Sequence, residues 1–170
     1  MRAAVSICAA VVLPLATGCI GAPSKSASGP LRASDLPGSY ELVDRVLASG
    51  TILQRPEIAG LYTWGHGRAN FNLFLHNPDG TLASESSIIR YTLSDKEYCE
   101  WIEYTTRNNL DAPGLTNEVP VVSSHCAPIR TEDNKVIFSP PGESVMTIYE
   151  RNGFTAIIHG QFTDHWRKIE

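Results

Sequence analysis

From Gly38 to Ile169, apolar and polar residues alternate in short runs, and each run ends in a cluster of turn-forming residues. A period of two puts one face of an extended chain in a core and the other in water, so the pattern dictates half-buried β-strands. Tyr40, Leu42 and Val46 are interleaved with Glu41 and Arg45, and Ala69, Phe71, Leu73 and Leu75 repeat the period. Asn77-Pro78-Asp79-Gly80 turns the chain into residues 81–93, and Ser94-Asp95-Lys96 turns it into residues 97–107. Residues 108–120 hold Asn, Gly and two Pro without a usable period and are predicted to form a long loop. Alternation returns at Val121. Glu132-Asp133-Asn134, Pro140-Pro141-Gly142-Glu143 and Asn152-Gly153 then separate strands over residues 135–139, 144–150 and 154–159, with a last one over 161–169. The expected fold class is all-β, an antiparallel up-and-down sheet of about eight strands. Open edges are avoided if the sheet closes, and short consecutive turns favour an up-and-down β-barrel over a two-sheet sandwich with the same signature. A barrel of that size is either filled by side chains or hollow enough for one small ligand.

The start of the chain carries an address. Arg2, an apolar run over residues 3–16, and small residues before Cys19 have the three parts of an export signal, and the run is too short to span a membrane. Leu15-Ala16-Thr17-Gly18-Cys19 resembles the lipobox of bacterial lipoprotein precursors. That resemblance implies removal of residues 1–18 as a signal peptide and lipidation of Cys19, with palmitate-type chains as the anchor. An uncleaved anchor and a plain secretory signal are the rivals. Ile20 rather than Asp follows the cysteine, which resembles the signal for release to the outer membrane, facing the periplasm. Residues 19–34, rich in Ser, Ala, Gly and Pro, read as a flexible tether spanning about 20 Å. Residues 35–170 then form one domain of ordinary size. The implied location is the bacterial cell envelope, with the membrane reached through the lipid.

Of 170 residues, 14 are Lys or Arg and 18 are Asp or Glu, and no basic cluster exists, so a nucleic-acid partner is disfavoured and none is expected. Cysteine usage becomes even after processing, because Cys8 leaves with the leader and Cys19 is acylated. Cys99 and Cys126 remain, and in an exported chain they suggest a disulfide. Two separate buried thiols, or a thiolate metal site with His125, are the alternatives.

Gly38-Ser39-Tyr40-Glu41-Leu42-Val43 at the first strand, Asn77-Pro78-Asp79-Gly80 in a central hairpin and His165-Trp166-Arg167-Lys168 at the end resemble bacterial lipocalin-like domains. The resemblance implies a lipocalin-like β-barrel that binds a small apolar or amphipathic ligand. It also implies that Tyr40 stands where the family's first-strand Trp packs at the closed end, with Arg167 as its cationic partner.

Tyr62-Thr63-Trp64-Gly65-His66-Gly67-Arg68 concentrates aromatic, imidazole and guanidinium groups between glycines. At a barrel mouth Tyr62, Trp64, His66 and Arg68 would be ligand-binding residues, with Trp64 stacking on the ligand and His66 and Arg68 meeting its polar end. The alternative is a bulge or loop with Trp64 plugging the core. Phe71, Phe74 and Trp101 add aromatic surface to the expected interior. His76, His125, His159 and His165 have no close metal-ligand spacing, although His159 could meet His66 inside a barrel, and no metal is expected. Glu85, Glu97, Glu100 and Glu103 read as solvent-facing or hairpin-pairing strand acids. No GxSxG, HExxH or phosphate loop is present, so no catalytic residue and no cofactor are assigned. Function thus rests between a ligand-binding barrel and a packed structural or interaction module of the envelope, with an enzyme using His66 as a third reading.

Overall fold

In the computed structural model, which describes residues 29–77, 79–110, 112–119 and 125–169, the alternation becomes physical sidedness. Ala69 and Leu73 are buried, while Asn70, Asn72 and Phe74 between and beyond them are exposed. The leader, Cys8, Cys19 and Val121 lie outside the described residues.

Among those residues thirteen strands form: β1 (Gly38–Leu47), β2 (Ile52–Leu53), β3 (Ile58–Gly65), β4 (Arg68–His76), β5 (Leu82–Leu93), β6 (Glu97–Asn108), β7 (Leu115–Glu118), β8 (His125–Pro128), β9 (Arg130–Glu132), β10 (Lys135–Phe138), β11 (Val145–Glu150), β12 (Gly153–Ile158) and β13 (Phe162–Lys168). All belong to one antiparallel sheet of order β7-β6-β5-β4-β3-β1-β13-β12-β11-β10-β9, with β2 against β1 and β8 against β6. The sheet curls into a half-barrel whose concave side carries the core. Its two flanks are tied at one end by a bent segment. There β8 pairs with β6, β9 pairs with β10, and only Ile129 stands between them, its N–H donating to the Lys96 carbonyl at 2.8 Å.

The count exceeds the expected eight or so for local reasons. The run expected from Val121 onward is broken at Ile129 into β8 and β9, because its halves serve different partners. Leu115–Glu118 pairs with β6 inside the stretch expected to be loop, although all four residues are exposed and so carry no alternation of burial. Ile58–Gly65 is a full strand on which two glycines blur the pattern.

Turn chemistry sets the hairpins. His66 and Gly67, at φ 54° and 75°, form a two-residue turn between the paired Gly65 and Arg68. Asp133 and Asn134, at φ 48° and 64°, do the same between Glu132 and Lys135. The hairpin expected at Asn152-Gly153 turns instead on Arg151-Asn152. Gly153 is already in the strand opposite Glu150, where an added Cβ would lie 2.0 Å from the Trp166 carbonyl oxygen. Close backbone approach, rather than turn geometry, requires that glycine.

One end of the curl is sealed. A 3-10 turn, Ala33–Asp35, carries buried Leu31, Ala33 and Leu36 across it. Leu31 N–H donates to Asn134 Oδ1 at 3.1 Å and Ala33 N–H to Asp95 Oδ1 at 3.3 Å. The packed chain therefore begins before Asp35, inside the stretch expected to be tether, because these apolar residues have a surface to cover. Tyr40 is buried beneath them, its hydroxyl donating to the Leu36 carbonyl. The cation over its ring is Lys168, with Nζ 5.7 Å from the ring centre and donating to the Asp35 and Pro37 carbonyls at 2.7 and 2.9 Å. Arg167, the expected partner, points outward to Glu41 at 2.9 Å. Register explains the exchange, since Tyr40 lies directly opposite Lys168 and opposed residues share a face.

Cys99 and Cys126 are directly opposed across β6 and β8 and form a disulfide with Cα atoms 4.0 Å apart. It closes a separation of 27 residues and fixes the bent segment to β6. On the chain-entropy account this stabilises the fold by roughly 3 to 4 kcal/mol.

Candidate functional site

The concave side of the sheet encloses a cavity of about 580 Å³. Tyr62 and Trp64 of β3, Phe71 of β4, Tyr149 of β11, Phe154 of β12 and Trp166 of β13 line it. These rings brace one another, with Phe154 stacked on Trp166 at 5.3 Å and Tyr62 edge-on to both Trp64 and Phe71 at 5.3 and 5.8 Å. The walls are therefore held in place before anything binds. At the far end from the 3-10 turn the lining passes to Arg107, Leu110, Ser144 and Gln161, where β6 finishes and β11 and β13 begin. That end is the mouth.

Polar groups run from the mouth inward. Near the mouth, Arg45 of β1 and Asp164 of β13 face each other in register, and Arg45 Nε and Nη2 donate to Asp164 Oδ1 and Oδ2 at 2.6 and 2.8 Å. Arg45 also lies 3.7 Å over the Phe162 ring. Burial raises the Asp164 pKa, outweighing the Arg45 guanidinium that lowers it. At the mouth, Arg107 reaches Glu85 at 3.4 Å and Glu118 at 3.0 Å. Glu143, on the loop between β10 and β11, is wetted by the mouth yet ringed by protein. Loss of hydration, then the nearby Glu100 and Glu85 carboxylates, push its pKa up to about 7.

Deepest lies Glu100 of β6, only 6% exposed. Its Oε2 accepts the Tyr98 hydroxyl at 2.6 Å, while Oε1 is buried with no partner. Burial raises the pKa of this carboxyl. The indole N–H groups of Trp64 and Trp166 are likewise buried and unpartnered. Among the described residues these three are the buried side-chain atoms left without a hydrogen bond, and all three residues line the cavity. Groups of this kind are costly to leave bare, and they concentrate where a ligand or water completes them.

The four expected ligand residues are split by the fold. Tyr62 and Trp64 face the cavity, with Trp64 3% exposed. His66 and Arg68 sit at the turn on the sealed end, both exposed, and Arg68 pairs with Glu103 outside. The glycines around them serve the hairpin. His159 lies in the turn after β12, at the mouth end, so it does not meet His66. Phe74 is on the outer face, and Trp101 lies under Arg90 at 5.1 Å rather than in the cavity. Glu100, expected in solvent or in a hairpin charge pair, is the largest correction. Glu97, Cys99 and Cys126 come close enough to suggest a metal site, but both sulfurs are bonded to each other. Arg45, Glu143, Asp164 and Trp166 are further cavity groups to which the sequence assigned no binding role; Arg45, expected on the polar face of the first strand, turns inward because the β1–β13 register shifts between Leu42 and Asp44, and only the Arg45–Asp164 charge complementarity could have signalled one of them.

No family model matches the chain, and no curated protein matches it. Among solved structures it is similar to a lipocalin-like protein from Bacteroides uniformis ATCC 8492. The two share 16% identity over 79% of this chain and 99% of that chain, with a TM-score of 0.34.

Proposed function

We propose that this chain is a lipocalin-like binding barrel that holds a small apolar or amphipathic molecule, tethered to an envelope membrane through lipid on Cys19. The observation that carries the binding reading is the cavity itself. It combines about 580 Å³ of space, six braced aromatic side chains and three buried polar atoms with nothing to bond to. A solid structural module fills such a space with side chains. Ligand sites leave it open, mostly apolar, with a few polar groups that fix orientation. The seal of residues 31–36 at one end and the bent segment joining β6 to β10 favour a barrel with a single mouth.

The binding reading is tested with N-phenyl-1-naphthylamine, a neutral probe that fluoresces in apolar surroundings. Wild type is expected to give a saturable, one-site rise in emission, and Ala156→Trp, which adds a ring on the cavity wall, is expected to abolish it. Emission that never saturates, or that survives in Ala156→Trp, contradicts the reading. The address has its own support in the leader and the Leu15-to-Cys19 box. Cys19→Ala is expected to move the protein from the membrane fraction to the soluble one, and unchanged partitioning contradicts lipidation.

A further inference from the structure

The cavity's charges do not cancel. Arg45 is taken up by the bidentate contact to Asp164, and Arg107 is shared between Glu85 and Glu118. Two carboxyls remain, Glu143 at the mouth and Glu100 at depth. An anionic ligand would enter against both, with each arginine already engaged.

Glu100 has the geometry of a receptor group. Tyr98 fixes one oxygen, the other is buried without a partner, and the residue lines the cavity. Trp64 stacks on the same Tyr98 that holds this carboxyl, with ring centres 5.5 Å apart and planes 12° from parallel. Tyr62 and Tyr149 stand 5.3 and 5.5 Å from the same indole. A carboxylate in an aromatic cluster is the chemistry that recognises an ammonium ion.

We propose that the deep end of the cavity binds a protonated amine borne by an otherwise apolar ligand, its N–H donating to Glu100 Oε1 beside the rings of Tyr62 and Trp64. This rests on the reading of the cavity as a binding site, and it names the class of molecule that site selects. The ammonium supplies the hydrogen bond that Oε1 lacks and the charge that nothing on β6 supplies there. Among the described residues, the groups that face Glu100 from other elements are the Tyr62 and Tyr149 hydroxyls and the Glu143 carboxyl, none of them cationic. Because a bound cation favours the ionised carboxyl, affinity rises as pH climbs from 5 to 8, where the amine is still protonated.

The test is calorimetric titration in phosphate buffer at pH 8 with three probes of matched shape: 2-phenylethylamine, 2-phenylethanol and 3-phenylpropanoate. Wild type is expected to bind the amine at least about tenfold tighter than the alcohol, the scale of one charge-assisted hydrogen bond, and to bind the carboxylate least. Glu100→Gln keeps shape and removes charge, and is expected to bring amine and alcohol to equal affinity while the circular dichroism spectrum of the protein stays unchanged. Equal binding of amine and alcohol by wild type, or an amine preference that survives in Glu100→Gln, overturns the proposal. If all three small probes fail while the naphthylamine dye still binds, the amine subsite is wrong and the cavity reading stands. If the dye fails too, both fall. The wild-type comparison decides even if the variant does not fold.

Discussion

Three carboxyl groups lining the cavity, Glu100 and Asp164 buried and Glu143 at its wetted mouth, set the chemical character of this interior. Glu100, Glu143 and Asp164 all titrate above their ordinary range, with burial as the first cause in each. A raised pKa means that the folded chain holds its protons more tightly than the unfolded one. The stability these groups contribute is thus present at low pH and lost as pH climbs from the ordinary glutamate value through about 7 for Glu143. The ligand-free protein is expected to unfold at a lower temperature at pH 8 than at pH 5.5, and Glu100→Gln combined with Glu143→Gln should flatten that slope. A melting temperature that rises over the same interval, or a slope unchanged in the double variant, contradicts this account of the carboxyls. Glu100 was not legible in the sequence because β6 offers two plausible inner faces. Tyr98, Glu100 and Ile102 share one side, Cys99, Trp101 and Glu103 the other, and each mixes apolar and acidic residues. Only the partners decide: Tyr98 is fully buried against Trp64 and Phe138, while Trp101 meets Arg90 outside.

At the scale of elements, the hairpin between β3 and β4 shows how a motif can suggest chemistry and serve geometry. Gly65-His66-Gly67-Arg68 looked like a ligand grip because it brings together an imidazole and a guanidinium. Its backbone tells otherwise, since His66 and Gly67 both occupy the left-handed region that a two-residue turn requires. Gly67→Ala is accordingly expected to cost about 1 to 2 kcal/mol, measured by urea unfolding. His66→Asn, a residue that tolerates this region, should leave both stability and dye binding intact. A loss of dye binding in His66→Asn would return the histidine to the site. Hairpins with their own turn signal were readable, as at 77–80 and 132–135. The bent segment of β8 and β9 was not, because its two halves obey partners distant in sequence, and no local pattern encodes a change of neighbour. The disulfide was readable from cysteine parity, whereas its role in pinning that bend needed the register.

Across the whole molecule, alternation along the strands fixes which residues can face inward, and the curl of the sheet converts them into walls. The sealed end follows from Leu31, Ala33, Leu36, Tyr40 and Lys168 acting together, and the opposite end is left as the entrance. The hollow between them was beyond the sequence, because a filled and an empty barrel share one pattern of polarity and differ only in how side-chain volumes sum across strands. That hollow is also what separates a binding protein from a packed module. The most direct measurement is a crystal structure of the protein with N-phenyl-1-naphthylamine. The account predicts density for the dye inside the curl, in contact with Tyr62, Trp64 and Trp166. Density only on the outer face, or an interior collapsed around the aromatic rings with no room for the dye, would contradict it.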